Sequence, residues 1–230
     1  MLAQADIGIW ALRDADRLPI ARIVRRLPPT DRARLDAMRS KTRAQAFAAG
    51  RFTLRFALAD VIGPDGWTVE IVSDPLGRPY AAGRAISLSH AGGWAVAAVS
   101  LAPEDDALRI GCDVEPPAPR RDLDRLIARV LTPDERAAVE ALEPNARLEA
   151  FLRYWRRKEA CLKAVGGGLS RLLAGFSTVA SPARIPGVGQ PVHFRDAEVN
   201  AACIVAVAQT APIGRVICAE IPRNEAGGPI

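Results

Sequence analysis

A chain of 230 residues is long enough for one domain or two small ones, and can bury roughly 70–75% of its unfolded surface, so folding requires neither a disulfide nor a structural metal. Its four cysteines lie in apolar runs without C-x-x-C spacing, no run reaches the ~18 apolar residues of a membrane span, and no basic-then-apolar leader opens the chain, which together point to a cytoplasmic protein with free thiols. The net charge of +5 is uneven: residues 1–60 hold 12 Lys/Arg against 6 Asp and the remaining 170 sum to −1, which implies an anionic partner for the first segment.

In chain order, residues 6–12 alternate as a strand. Pro28-Pro29-Thr30-Asp31 reads as a helix start with Thr30 as N-cap. A helix beginning near Thr42 turns Phe47, Leu54 and Leu58 inward and carries Arg43, Arg51 and Arg55 one to two turns apart. Residues 67–72 read as a strand, and residues 85–90 and 94–99 as a hairpin turning at Ala91-Gly92-Gly93. A polar stretch near residue 104 divides the chain into an N-terminal half, 1–104, and a C-terminal half, 105–230.

The second half repeats the plan: a strand from Ile110 to Glu115, helices, then strands at 192–194, 202–208 and 216–221. Residues 202–208 resemble 94–99 in pattern, which suggests a duplicated unit. Thr132-Pro133-Asp134-Glu135 has the spacing of a capping box and is read as a helix start only. The last helix stops at Gly166-Gly167-Gly168.

Two segments carry chemistry. Ile110-Gly111-Cys112-Asp113-Val114-Glu115 alternates like a half-buried strand; side chains two apart share a face, so Asp113 and Glu115 point one way while Cys112 and Val114 enter a core. In Trp155-Arg156-Arg157-Lys158-Glu159-Ala160-Cys161-Leu162-Lys163, Glu159 and Lys163 are four apart and neighbours on one helix face. Singly, each pair is what a solvated surface commonly shows. Together, three carboxylates converge economically only around a divalent cation, and an all-oxygen set selects Mg²⁺ or Mn²⁺. The implied chemistry is phosphoryl transfer or phosphodiester cleavage, with Lys163 at the leaving group. His90, after Ser87 and Ser89 and before a Gly-Gly turn, suits a phosphate cradle, whereas His193 reads as structural.

Taken in order, these segments resemble the 4′-phosphopantetheinyl transferase superfamily, in its surfactin-synthetase-activating type. The likeness rests on Gly77-Arg78-Pro79, on Ile86-Ser87-Leu88-Ser89-His90-Ala91, on Gly111-Cys112-Asp113-Val114-Glu115, and on Trp155 to Lys163 followed by Gly166-Gly167-Gly168-Leu169. Arg43, Gly50-Arg51 and Leu54-Arg55 resemble the family's basic helix. The resemblance implies an α+β fold of two similar α/β halves related by pseudo-twofold symmetry. It implies an enzyme that moves phosphopantetheine from coenzyme A to a serine of an apo acyl or peptidyl carrier protein, releasing 3′,5′-ADP. By the same resemblance Asp113, Glu115 and Glu159 hold Mg²⁺, Glu159 also acts as base toward the serine, and Lys163 offsets charge on the breaking phosphoanhydride. Ser89 and His90, with Arg43 or Arg51, hold the coenzyme A phosphates, and Arg78 and Pro79 line the adenine side. Two positions depart from the pattern: Ser87 replaces an asparagine and Ala91 a serine, which puts coenzyme A affinity and the bracing of the turn in question.

A metal-dependent nuclease would use a similar carboxylate and lysine set, but its lysine is expected on a strand rather than on the helix that Glu159 and Lys163 occupy. A basic nucleic-acid-binding module in residues 20–60 is the non-enzyme alternative. Aromatics make up only 5% of the chain and are not interleaved with the basic residues, so no nucleic-acid partner is expected. A whole site supplied at the interface of the two halves implies a monomer, and no membrane partner is expected.

Overall fold

Two β-sheets lie face to face, and a 22-residue helix covers the outer side of each. This computed structural model describes residues 4–73, 79–81, 83–102, 108–118, 122–166 and 173–222. Its elements are β1 (Ala5–Leu12), α1 (Ile20–Val24), α2 (Pro29–Asp36), α3 (Lys41–Ile62), β2 (Ile71–Ser73), β3 (Pro79–Ala81), β4 (Arg84–Ala91) and β5 (Trp94–Ser100). They continue with β6 (Ile110–Val114), α4 (Leu123–Val130), α5 (Pro133–Glu140), α6 (Pro144–Val165), β7 (His193–Asn200), β8 (Cys203–Gln209) and β9 (Ile213–Glu220). The fold is α+β, as expected.

The larger sheet has the order β2-β3-β4-β5-β1-β9 and the smaller β6-β8-β7. Strand alternation sorts most of their residues into three large cores. Leu12, Ile86, Ala97 and Val99 face α3 and pack with Phe52, Leu54 and Leu58. Ile7, Ile9, Val96 and Ala98 face the other sheet and meet Ile110, Cys112, Val114, Val205 and Val207. Ala206 and Ala208 face outward against Phe151, Cys161 and Leu162 of α6.

The β4–β5 hairpin closes at Gly92 and Gly93, with φ of 53° and 83°, between Ala91 and Trp94 in register. Positive φ at both central residues matches the right-handed twist of the flanking strands. β9 crosses the division near residue 104: it lies in the C-terminal half but pairs in parallel with β1.

Three local expectations change. Thr30 is not an N-cap, because α2 starts at Pro29 with Pro28 as cap and no side-chain cap bond; the two fixed proline φ angles set the helix start. Trp67 is not in a strand but ends a 3₁₀ turn, Pro64–Trp67, where its ring meets Phe52 at 5.5 Å, and pairing begins only at Ile71. β6 is buried along its whole length rather than half-buried, because α6 covers the face that carries Asp113. Gly167 and Gly168 lie outside the described residues, while Gly166 ends α6 in the left-handed region at φ 72°.

Candidate active site

The site begins with a glycine. A Cβ on Gly111 would stand 2.0 Å from the Ala160 carbonyl oxygen and 2.7 Å from the Ala164 nitrogen, so only glycine lets β6 lie directly on the backbone of α6. That contact brings Asp113 of the strand and Lys163 of the helix together. Lys163 Nζ lies 2.7 Å from Asp113 Oδ1 and donates to the Cys112 carbonyl at 3.0 Å.

β4 closes the cluster from the other sheet. Ser89 Oγ donates to Asp113 Oδ1 at 2.8 Å and accepts from Lys163 Nζ at 3.0 Å. Ser87 Oγ accepts from the Cys112 amide at 3.0 Å. The serine that departs from the family pattern therefore ties β4 to β6, directly before Asp113. Cys112 is buried on the far face of β6, and burial pushes its thiol up to about 11, so it is not a nucleophile.

Asp113 is 5% exposed, and its Oδ2 is buried and accepts no hydrogen bond. Glu159 is held above the ordinary glutamate value, first by burial, then by the negative charge of Asp113; Lys163 opposes this and Glu115 adds to it. The three carboxylates thus share one field, but among the described residues no group of three His, Cys, Asp or Glu side chains is gathered tightly enough to hold a metal ion. At Asp113, Lys163 and Ser89 take up Oδ1. An orphaned buried carboxylate oxygen and an all-oxygen donor set nonetheless fit Mg²⁺.

Beside this cluster, among the described residues, β3 pairs with β4 at Arg84 and Ala85, before Ser87 and Ser89. A cleft of about 650 Å³ lies there, between β4 and α3. It gathers Arg43, Arg51, Pro79, Ser89 and His90, five of the six residues expected to bind coenzyme A; the sixth, Arg78, lies outside the described residues. Arg34 and Phe47 also line it, and the guanidinium groups of Arg34 and Arg51 each lie 5.4 Å from the Phe47 ring centre. Arg51 is further held by Asp31 at 3.5 Å, which also pairs with the buried Arg55 at 3.0 Å. Sequence reasoning missed Arg34, whose only signal was its place in the basic surplus. A second cavity of about 530 Å³ lies against the Gly92-Gly93 turn and shares Thr42, Ala46 and His90 with the first.

Glu135 proves to be more than a helix start. Its Oε2 accepts from the Thr132 amide at 3.0 Å, completing the capping box, and meets Lys158 Nζ at 2.8 Å. Its Oε1 takes the amide and hydroxyl of Thr178 at 2.7 and 2.8 Å. His193 starts β7, away from the cleft, with its imidazole pushed down by burial.

The 4′-phosphopantetheinyl transferase superfamily model matches residues 109–209, which span β6 to β8 and include Asp113, Glu159 and Lys163. Among characterised proteins, the chain is 34% identical over 142 residues to the 4′-phosphopantetheinyl transferase AcpT of Salmonella typhi, covering 60% of this chain and 68% of that one. It is 28% identical over 178 residues to the 4′-phosphopantetheinyl transferase HetI of a Nostoc species, covering 74% and 73%. It is 30% identical over 131 residues to a 4′-phosphopantetheinyl transferase of Bacillus subtilis, covering 56% and 55%. With the strand, helix and cleft in these positions, the chain belongs to the 4′-phosphopantetheinyl transferase superfamily.

Proposed function

We propose that this protein transfers the 4′-phosphopantetheine arm of coenzyme A to a serine of an apo acyl or peptidyl carrier protein and releases 3′,5′-ADP. The observation that carries the reading is the juxtaposition of Lys163, Asp113 and Ser89 with an arginine-lined cleft of about 650 Å³. Arg43, Arg51 and His90 bind the phosphates of coenzyme A, and Pro79 with Arg78 borders the adenine. The Phe47 ring lies 5.4 Å from the guanidinium groups of both Arg34 and Arg51, a cation–π contact that helps place Arg51 at the cleft.

Asp113, Glu115 and Glu159 would hold Mg²⁺, which when bound supplies neutralisation of pyrophosphate charge. Lys163 turns from Asp113 toward the bridging oxygen and offsets the charge that grows there as the phosphoanhydride bond breaks. Glu159 accepts the proton of the carrier serine, directly or through a water, as the serine oxygen forms its bond to phosphorus. The bond that breaks leaves 3′,5′-ADP with the electron pair.

β4 from one half and β6 with α6 from the other complete the site in a single chain, which supports a monomer. The division near residue 104 and a pseudo-twofold relation between the halves are part of this proposal. All four cysteines are free thiols, which supports a reducing, cytoplasmic setting. No helix among the described residues is long and apolar enough to cross a membrane.

The test is intact mass. Incubated with Mg²⁺, coenzyme A and a panel of apo carrier proteins, the purified protein is expected to add one phosphopantetheine arm to at least one carrier. Asp113→Ala and Lys163→Ala are each expected to abolish the addition while leaving the fold intact. No mass gain on any carrier sinks the reading, and near-normal transfer in either variant sinks that residue's role.

A further inference from the structure

Three consecutive cations of α6, Arg156, Arg157 and Lys158, are committed in three directions. Lys158 is buried on Glu135, and Arg157 forms a forked pair with Asp196 of β7, its Nη2 at 2.7 Å. Arg156 turns toward β6. Its side chain is 2% exposed, its Nη1 donates to the Glu115 carbonyl at 3.0 Å, and its Nη2 donates to Glu149 Oε1 at 2.7 Å.

That bond lies where β6 loses its support. The ladder to β8 ends at Val114 against Val205, so the Glu115 carbonyl lies beyond the last paired residue of the strand. A charged donor fixed inside the protein holds the backbone at that point. Farther along α6, Lys163 holds the Cys112 carbonyl at 3.0 Å. The seven residues from Arg156 to Lys163 rise ~10.5 Å along a helix, and the three residues from Cys112 to Glu115 span ~10 Å along a strand. The two cations therefore match the two carbonyls across antiparallel elements, one at each end of the carboxylate-bearing segment.

We infer that Arg156 is a positioning residue for Glu115, holding its backbone so that its carboxylate stays beside Asp113 and Glu159. The inference rests on the proposed role of those carboxylates toward a divalent cation. Arg156 touches neither substrate nor cation; it acts through the Glu115 carbonyl. Glu149, partly exposed on the first turns of α6, fixes the other branch of the guanidinium and keeps the fork aimed.

The experiment is a Mn²⁺ titration of the full chain at saturating coenzyme A, with free Mn²⁺ read by electron paramagnetic resonance and the titration of coenzyme A alone subtracted. Arg156→Met is expected to weaken Mn²⁺ binding about tenfold or more, the range seen when outer-sphere partners of metal ligands are removed. Arg156→Lys, which can reach one carbonyl but not fork, should fall between. Glu149→Gln should weaken binding measurably but less than Arg156→Met, and carries the test if Arg156→Met does not fold. Glu115→Gln serves as the reference for loss of the carboxylate. A folded Arg156→Met protein with unchanged Mn²⁺ affinity overturns the inference, as does unchanged affinity in Glu149→Gln should the first variant not fold. Wild-type affinity in Glu115→Gln beside weakened affinity in Arg156→Met also overturns it, because Arg156 would then act through another group. If the unaltered protein takes up no Mn²⁺ beyond coenzyme A alone, the metal reading itself fails and the inference falls with it.

Discussion

Lys158 and Glu135 form an ion pair at 2.8 Å in which neither side chain is exposed. Lys158 also donates to the Leu173 carbonyl at 2.6 Å and to the Phe176 carbonyl, and lies 4.8 Å from the Phe176 ring centre. Burial pushes Lys158 below the ordinary lysine value, and the Glu135 carboxylate opposes that shift. The pair anchors α6 to the start of α5 and to residues 173–178, one position before Glu159. In a segment read for its catalytic residues, Lys158 is thus the one that fixes the helix.

Breaking this pair from one side should be costly. Lys158→Met is expected to destabilise the protein by about 3–5 kcal/mol, because Glu135 would be left charged and buried. Lys158→Met combined with Glu135→Leu should recover much of the loss. Urea denaturation of the two singles and the double measures both effects; additive losses would mean that Lys158 and Glu135 are not coupled.

Gly111 makes a different kind of demand. In Gly111→Ala the new methyl group would stand 2.0 Å from the Ala160 carbonyl oxygen, so α6 must move away from β6. A stability loss of about 1–3 kcal/mol is expected from the overpacking. Transfer activity should fall about 10²-fold at temperatures where the variant is folded, because Lys163 and Glu159 move with the helix. Activity close to wild type would show that the site tolerates the displacement.

Glu159 predicts a pH dependence of stability in metal-free protein. Its pKa is raised on folding, so between the unfolded and folded values the native state holds more protons than the unfolded state. Stability contributed by this group is then present below the unfolded value, near 4.3, and is lost as pH rises through the folded value. Glu159→Gln should therefore be more thermally stable than the unaltered protein at neutral pH in EDTA. The difference should shrink as pH falls through about 4 and disappear by about pH 3, where both states are protonated. Melting curves across that range decide it, and a variant less stable at neutral pH would contradict the assignment.

The cleft separates two arginines by their second duties. Arg43 is exposed and, among the described residues, serves no buried pair, so Arg43→Ala should raise the coenzyme A concentration for half-maximal rate about tenfold and leave stability within about 0.5 kcal/mol. Arg51→Ala should weaken coenzyme A similarly but also lower stability, because Asp31 loses one of its two cationic partners. Steady-state kinetics paired with denaturation curves test this. Equal stability of the two variants would mean that Arg55 alone satisfies Asp31.

Local signals in the sequence are sufficient for much of this protein. Alternation places Cys112 and Val114 in a core with Asp113 opposite, helical spacing puts Glu159 beside Lys163, and the Gly-Gly turn marks the hairpin that carries Ser89 and His90. These features depend on residues within one or two turns of each other, so their physics is written in adjacent positions. Trp67 shows the limit: its aromatic β-propensity is overridden by the pocket that Phe52 and Phe56 offer it.

What only the tertiary structure decides is which distant groups meet. Ser87 and Ser89 reach β6 because two sheets stack, and Lys163 settles on Asp113 because Gly111 admits the helix. Arg156, Arg157 and Lys158 are three adjacent cations of the same charge. Nothing in their spacing assigns one to Glu115, one to Asp196 and one to Glu135. Those choices are made by the packing of α6 against elements 20 to 45 residues away, which sets the direction each side chain can take.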